Sequence, residues 1–229
     1  MRLNYVVSGW TGPRRADPVP SLLYLKQHLD VLSKRKFNAD QITVALSKFD
    51  DNFGEVWLFA QSLNSINGIP VKWLMRENVG MSFGAFSDAY AADRTNFDYY
   101  IFMEDDYVFV KDDFDEILIK LIEEYPKCGF MCQLAGNELI TNGIARSGAL
   151  EALFLAHGQI PSYHNRRNRY TGRGQTRFAK SFIEAGFELR DFSDRFKTPF
   201  SIYWDNSIKE YSPDQAEYLI KPVQMLVGN

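Results

Sequence analysis

Apolar and polar positions along the first two thirds of the chain switch repeatedly between two periods. One is the two-residue alternation of strands and the other is the 3.6-residue spacing of amphipathic helices. The alternation predicts strands at 3–7, 42–46, 69–75, 99–103, 130–134 and 187–189. The helical spacing predicts helices at 21–36, 53–63, 82–92, 114–125, 147–156 and 178–183. Beyond Pro199 the pattern predicts no further element.

The alternation of strands with helices predicts an α/β fold, with a mainly parallel central sheet and helices on both faces. The run Tyr-Tyr-Ile-Phe-Met at 99–103 is apolar throughout, which is typical of a strand covered on both faces. In open sheets of this kind, ligands bind outside the carboxyl ends of the strands. We therefore look for chemistry immediately after each predicted strand.

Composition and charge restrict the class of protein. Apolar residues make up 45% and charged residues 24% of 229 residues, so we expect one globular domain over 1–229. The net charge of −3 argues against a nucleic-acid partner. No apolar run reaches the length of a membrane span, and the first residues do not resemble a signal peptide. We expect a cytoplasmic protein whose Cys128 and Cys132 are reduced core thiols on one face of a strand.

Three adjacent carboxylates, Glu104, Asp105 and Asp106, follow the most apolar strand. Such clustering is destabilising unless a cation compensates the charge, and hard oxygen ligands favour Mg²⁺ or Mn²⁺. In an extended segment Glu104 and Asp106 would share a face, with Asp105 pointing away. The alternative is a solvated acidic turn ahead of the helix that begins near 112–115.

Two motifs follow predicted strands about twenty residues apart. The first is Glu-Asn-Val-Gly-Met-Ser-Phe-Gly at 77–84, after the third predicted strand, and the second is the apolar strand that ends in the acidic triplet, at 100–106. Together they resemble the family-2-like, nucleotide-sugar glycosyltransferases of the GT-A fold, in which a similar apolar strand ends in an Asp-x-Asp motif. The resemblance covers residues 1–135, which would be the nucleotide-sugar-binding half, and leaves 136–229 as the acceptor-side half.

The resemblance implies a UDP- or GDP-sugar donor, a glycan acceptor, and Mn²⁺ or Mg²⁺ held by Asp106 with Glu104. It also implies a set of residues that line the nucleotide pocket or its surroundings: Ser8, Gly9, Trp10 and Thr11 in the loop after the first strand, Asp50 or Asp51 after the second, Asn78, Gly80 and Asp105. Asp88, on the following helix, is a candidate ligand for a hydroxyl of the donor sugar, or a solvated helix acid.

The catalytic base is left open by the sequence. Related inverting enzymes carry an acid before the late helix, where this chain has Arg-Gly-Gln-Thr at 173–176. The candidates are Glu138, Asp191 and Asp194. The Arg-rich stretch 157–177 is either a mobile flap over the substrates or a surface loop.

Two other classes of function compete with the glycosyltransferase. A sugar nucleotidyltransferase is one, because Gly-Trp-Thr-Gly-Pro-Arg-Arg at 9–15 loosely resembles the glycine-rich loop of that group, although it lacks the expected lysine. A non-catalytic glycan- or anion-binding module that uses the Arg-rich stretch is the other.

Overall fold

The computed structural model describes residues 1–12, 21–49, 53–109, 111–135, 138–160, 171–192, 200–204 and 207–210. Its helices are α1 (Ser21–Ser33), α2 (Phe53–Ser62), α3 (Met81–Ala92), α4 (Phe114–Glu123), α5 (Ser147–His157) and α6 (Thr171–Glu184). Its strands are β1 (Leu3–Trp10), β2 (Gln41–Ser47), β3 (Ser65–Ile66), β4 (Ile69–Arg76), β5 (Tyr99–Glu104), β6 (Tyr107–Phe109), β7 (Cys128–Ala135), β8 (Glu138–Arg146), β9 (Glu188–Asp191), β10 (Phe200–Trp204) and β11 (Ser207–Glu210).

The central sheet has the strand order β3-β4-β2-β1-β5-β8-β7-β9. Strands β4, β2, β1 and β5 are parallel to one another, and β9 is parallel to β7. The short β3 and the long β8 run antiparallel to their neighbours. The chain moves outward from β1 to β2 and β4, then returns to the other side of β1 with β5, so the strand order reverses between β1 and β5.

The sheet separates two hydrophobic clusters. Helices α1, α2 and α4 bury their apolar stripes against one face, and α3, α5 and α6 against the other. In α4, Phe114, Leu118 and Ile122 lie at helical spacing and are fully buried. Strand β5 is buried on both faces, as its apolar sequence predicts: Tyr100 and Phe102 belong to one cluster and Ile101 and Met103 to the other.

The predicted fold class is confirmed, with differences in detail. The short or polar strands β3, β6, β8, β10 and β11 were not predicted, and α6 begins at Thr171, inside the stretch interpreted as a flap. The two cysteines do not share a face: Cys128 packs in the first cluster and Cys132 in the second. A register irregularity between Cys128 and Phe130 in the β7–β9 pairing disturbs the alternation. Both cysteines are buried, and neither takes part in a disulfide bond within the part of the chain that the structure describes.

Among the described residues, no helix combines the length and the apolarity that crossing a membrane requires.

A partly exposed ion pair between Arg94, two residues after α3, and Glu151 of α5 makes stability depend on pH. Arg94 Nε donates to Glu151 Oε2 at 2.7 Å, and the Tyr90 hydroxyl donates to the same oxygen at 2.8 Å. The hydrogen bond from Arg94 is the main cause that lowers the pKa of Glu151 to about 2. Because this pKa lies below the ordinary value of 4.5, the pair stabilises the fold above about pH 4.5 and is lost as the pH falls towards 2.

We expect Glu151→Gln to lower the free energy of unfolding at pH 7. The difference from the wild type should shrink as the pH falls from 4.5 to 2, because the wild-type carboxylate then becomes protonated. Urea unfolding followed by circular dichroism across this range measures both variants. Glu184→Gln is the control, since Glu184 forms an exposed helical pair with Lys180. A difference that stays constant down to pH 2 would contradict the assignment.

Candidate active site

The candidate site lies at the edge where the carboxyl ends of the parallel strands meet. Register places Ser8 of β1 beside Glu104 of β5, Trp10 beside Ser47 of β2, and Ser47 beside Arg76 of β4. The reversal of strand order between β1 and β5 opens a crevice at this edge, which is where open α/β sheets bind ligands. The residues after the first strand were predicted to form a loop, but parallel pairing with β2 keeps Ser8, Gly9 and Trp10 within β1.

The acidic triplet forms a turn at the crevice. Glu104 is the last residue of β5, and Asp105 and Asp106 turn the chain into β6. The prediction of an extended segment through Asp106 is therefore wrong, because the strand ends one residue after Met103.

Asp105 braces the turn against the first strand. Its side chain is buried, at 3% exposure for the residue, and Oδ2 accepts the Trp10 N–H at 3.1 Å. Its own N–H donates to the Ser8 carbonyl oxygen at 3.0 Å. Both bonds cross from β5 to β1 at the point where the strand order reverses, so Asp105 fixes the backbone of the turn.

Glu104 is held from two other directions. The Ser82 hydroxyl, in the first turn of α3, donates to Glu104 Oε1, and the Glu104 N–H donates to Asn142 Oδ1 at 2.7 Å. Before Ser82 the chain makes two left-handed residues, Gly80 at φ 77° and Met81 at φ 53°. This sharp turn brings the start of α3 to the acidic turn.

The carboxylates fit a hard divalent cation in the kind of ligand they supply. Glu104 and Asp106 are both partly exposed and both offer oxygen. Within the described ranges, no group of three or more His, Cys, Asp or Glu side chains is arranged to hold a metal. Mg²⁺ in nucleotide enzymes is commonly held by one or two carboxylates and completed by substrate phosphates and water. Two carboxylates at the crevice match that pattern.

The sequence reasoning missed Arg76, the last residue of β4. Its side chain is only 6% exposed, yet it carries a guanidinium. Nε donates to Asp88 Oδ2 at 2.6 Å, Nη1 to Ser47 Oγ at 2.7 Å, and Nη2 to the Val79 carbonyl oxygen at 2.6 Å. Arg76 thus ties β2, the turn after β4 and α3 together. The signal that could have revealed it is a charged residue at the end of a strand, directly before the motif at 77–84.

Asp88 contacts this arginine and lines a cavity of about 170 Å³, along with Glu77, Ser87 and Gln159. The cavity lies between the end of β4, one side of α3 and the segment after α5. Asn78 and Gly80 are half-buried on the turn that joins β4 to α3. The motif at 77–84 therefore reaches the same edge as the acidic turn.

Gly84 allows α3 to lie against that turn. A Cβ at this position would stand 1.9 Å from the Val79 carbonyl oxygen and 2.7 Å from Arg76 Nη2. Both atoms are fixed by the hydrogen bond between them, so no side chain fits between helix and turn.

A neutral histidine lies beneath the acidic turn. His28 of α1 is fully buried, and its Nε2 is 3.1 Å from the Tyr5 hydroxyl. Burial lowers the pKa of His28 to about 3, against the opposing effect of the backbone of Asp105 and Tyr107. The imidazole is therefore uncharged at neutral pH and does not compensate the carboxylates.

Two of the three candidate bases have a described backbone position. Glu138 begins β8, which runs antiparallel to β5, so this residue lies at the same edge as Glu104. Asp191 is the last residue of β9 and pairs with Cys132 of β7, so its backbone also lies towards this edge. Strand β8 is next to β5, whereas β9 is three strands away, which is roughly 14 Å at ordinary strand spacing. Register therefore places Glu138 nearer to the acidic turn than Asp191.

Several predicted residues lie outside the described ranges: Asp50, Asp51, Asp194 and part of the Arg-rich stretch, at 161–170. Of the remainder of that stretch, His157 ends α5 and 171–177 belong to α6. Helix α6 precedes β9, so its first residues lie at the carboxyl edge of the sheet. Thr11, the last of the predicted pocket residues, is buried, and its hydroxyl donates to the Ser47 carbonyl oxygen at 3.5 Å.

Comparison with solved structures identifies the fold. The chain is similar to residues 1–349 of S. aureus TarS, with a TM-score of 0.59 and 13% identity over 85% of this chain and 58% of that one. It is also similar to CMP:2-keto-3-deoxy-manno-octonic acid synthetase complexed with CTP, with a TM-score of 0.52 and 12% identity over 84% of this chain and 89% of that one. A third similar structure is a cytidylyltransferase from Leptospira borgpetersenii, with a TM-score of 0.52 and 13% identity over 83% of this chain and 75% of that one.

The chain thus spans less than two thirds of the TarS fragment that it matches. No protein-family profile and no curated protein sequence matches it. At these identities the structural likeness shows the fold, an α/β, Rossmann-like architecture of the type found in GT-A and nucleotidyltransferase enzymes.

Proposed function

We propose that this chain is a metal-dependent glycosyltransferase, which transfers a sugar from a nucleoside-diphosphate sugar to a hydroxyl group of a glycan. The observation that carries the proposal is the acidic turn at 104–106. It stands at the reversal of strand order, is braced to β1 by Asp105, and is hydrogen-bonded to the start of α3 through Glu104. A turn held this rigidly, with the carboxylates of Glu104 and Asp106 beside a ligand crevice, suits a diphosphate that binds with a divalent cation.

The chain's residues have distinct tasks in this proposal. The nucleotide would lie between the end of β1, the end of β2 and the turn at 78–80, with a UDP- or GDP-linked sugar extending towards Glu104. Mn²⁺ or Mg²⁺ on Asp106 and Glu104 would neutralise the diphosphate leaving group when it is bound. Asp105 fixes the backbone of the turn, Ser82 holds the carboxylate of Glu104, and Arg76 keeps the turn after β4 against α3.

The acceptor hydroxyl requires a base in an inverting reaction. We infer that Glu138 is the first candidate, because the backbone at the start of β8 lies one strand from the acidic turn. Asp191 is three strands away by the same register. Loss of transfer in Asp191→Asn, with normal transfer in Glu138→Gln, would reverse this order.

A sugar nucleotidyltransferase is the second candidate. It is supported by the likeness to the CTP-bound synthetase, of which the chain matches 89%. Against it stand the absence of a lysine at 9–15 and the presence of three adjacent acids at 104–106.

A paired assay separates the two functions. We expect the protein with Mn²⁺ to release a nucleoside diphosphate from a UDP- or GDP-sugar, faster when an acceptor glycan is added. The parallel reaction supplies a nucleoside triphosphate with a sugar 1-phosphate or 2-keto-3-deoxy sugar acid and measures pyrophosphate. Pyrophosphate without diphosphate release would establish the nucleotidyltransferase. If the protein binds glycans but binds neither the nucleotide sugar nor the nucleoside triphosphate, it is a non-catalytic binding module.

A further inference from the structure

Strand β8 contains an irregularity beside the acidic turn. Cys132 of β7 pairs with Gly143 of β8, and the next pair is Leu134 with Leu139. Between these two pairs β7 advances by two residues and β8 by four, so β8 has two extra residues there. The pairing of β8 with β5 ends at Phe102–Gly143. Asn142 is the first residue past this last pair, at the start of the irregular segment.

The side chain of Asn142 forms a hydrogen bond with β5 just beyond the last backbone pair between β5 and β8. Its Oδ1 accepts the Glu104 N–H at 2.7 Å, a bond that a strand partner would ordinarily supply. Gly143 makes this possible, because a Cβ there would stand 2.2 Å from the Met131 carbonyl oxygen. The two strands are therefore packed too closely for a larger residue.

The other end of the amide has no partner among the described residues. Asn142 is 0% exposed, and its Nδ2 makes no hydrogen bond. An unpaired buried donor is destabilising, so the stability of the fold alone does not favour an asparagine here. An aspartate would accept the same N–H without a leftover donor. It would, however, add a fourth carboxylate beside Glu104, Asp105 and Asp106.

We propose that Asn142 is a positioning residue for Glu104, and that its neutral amide is the acceptor that this acidic site tolerates. The backbone of Glu104 is held by Asn142 and its carboxylate by Ser82, so that the direction of the side chain is fixed at both ends. This role rests on the proposed function, in which Glu104 faces the donor diphosphate. Asn142 itself does not contact substrate.

The chain offers a matched control in Asn4 of β1. Asn4 is also 0% exposed, accepts one hydrogen bond, from the Thr43 hydroxyl, and has no partner for its Nδ2 in the described ranges. Asn4 pairs with Tyr100 of β5, which lies four residues before Glu104. At ordinary strand rise, this places Asn4 roughly 13 Å from Glu104 along the strand direction. Asn4→Ala thus reproduces the structural loss of Asn142→Ala away from the site.

The test combines amide hydrogen exchange by NMR with steady-state kinetics. In Asn142→Ala we expect exchange at the Glu104 amide to accelerate at least about tenfold, because the N–H loses its acceptor. The kcat for sugar transfer should fall at least about tenfold, with a smaller change in the KM for the donor. Asn142→Asp should keep the slow exchange and have a kcat between those of Asn142→Ala and the wild type, because it restores the acceptor but adds a fourth carboxylate to the site. Asn4→Ala should leave both the Glu104 exchange and kcat near wild-type values.

Unchanged exchange at Glu104 in Asn142→Ala would overturn the proposal whatever the enzyme's activity. Equal losses of kcat in Asn142→Ala and Asn4→Ala would also overturn it, since they would show a general loss of stability. A wild-type protein that transfers no sugar would instead refute the proposed function, and the exchange rates would still decide whether Asn142 holds Glu104.

Discussion

Asp106→Asn is expected to lower kcat/KM for sugar transfer by at least about 100-fold, roughly 2.7 kcal/mol of transition-state stabilisation. The change removes one ligand charge and almost no volume, so the free energy of unfolding should stay close to the wild-type value. Asp106 lies in the turn between β5 and β6 and is half-buried, where an amide of the same shape can be accommodated. Donor turnover with saturating Mn²⁺, together with urea unfolding, measures both quantities.

The control for this charge change is Asp30→Asn on α1. Asp30 is exposed and pairs with Lys34 one turn later, so its loss should affect neither turnover nor metal dependence. Addition of EDTA should abolish wild-type activity, and excess Mn²⁺ should restore it. Full turnover in EDTA would show that the carboxylates at 104–106 have another purpose.

Gly84→Ala is expected to destabilise the protein by at least about 2 kcal/mol, although alanine ordinarily favours a helix over glycine by roughly 1 kcal/mol. The added methyl group would overlap the Val79 carbonyl oxygen, which is already bonded to Arg76. Helix α3 would have to move away from the turn after β4. Ser82 would then move relative to Glu104, so activity should fall as well.

Gly54→Ala in α2 is the matched helical control. Among the described residues, nothing beyond its chain neighbours and the helix's own backbone lies within 4 Å of a Cβ built there, so this substitution should be neutral or stabilising by up to about 1 kcal/mol. Thermal and urea unfolding of the two variants should therefore shift in opposite directions, or only Gly84→Ala should shift. Equal stability of Gly84→Ala and the wild type would mean that the turn is not held against α3.

Local pattern was sufficient for the elements that build the sheet and bury its two faces. Strand β5 and helices α3, α4 and α5 were predicted within a few residues. Each packs an apolar face within the sheet's two hydrophobic clusters, so its period is visible in the local sequence. Strand β8 was missed, since Asn142 and Gly143 together are typical of a turn. Its partners, β5 and β7, provide the pairing that overrides this local preference. Strand β6 has three residues and is too short to show any period.

The candidate site was located by sequence, but its bonding was not. The edge, the acidic triplet and the motif at 77–84 follow from the order of strands. The hydrogen bond between Asp105 and Trp10 joins residues 95 positions apart, and one partner is a backbone N–H that every residue type offers. Nothing local distinguishes Asp105 from Asp106, so which one is buried depends on the tertiary fold. Arg76 was missed for the same reason, because its partners on β2 and α3 lie distant in sequence.

Strand β6, directly after the acidic turn, pairs with β10 through Phe109–Phe200, Val108–Ser201 and Tyr107–Ile202. The partner of this strand is therefore made more than ninety residues later in synthesis. When the ribosome has synthesised the parallel strands β1, β2, β4 and β5, it has not yet synthesised β10, which pairs with the strand after the acidic turn. The parallel strands around β1 and β5 can collapse early, while the strand after the acidic turn gains its pairing with β10 only when residues 200–204 emerge. We therefore expect the parallel strands to form before the pairing that supports the strand after the acidic turn is complete.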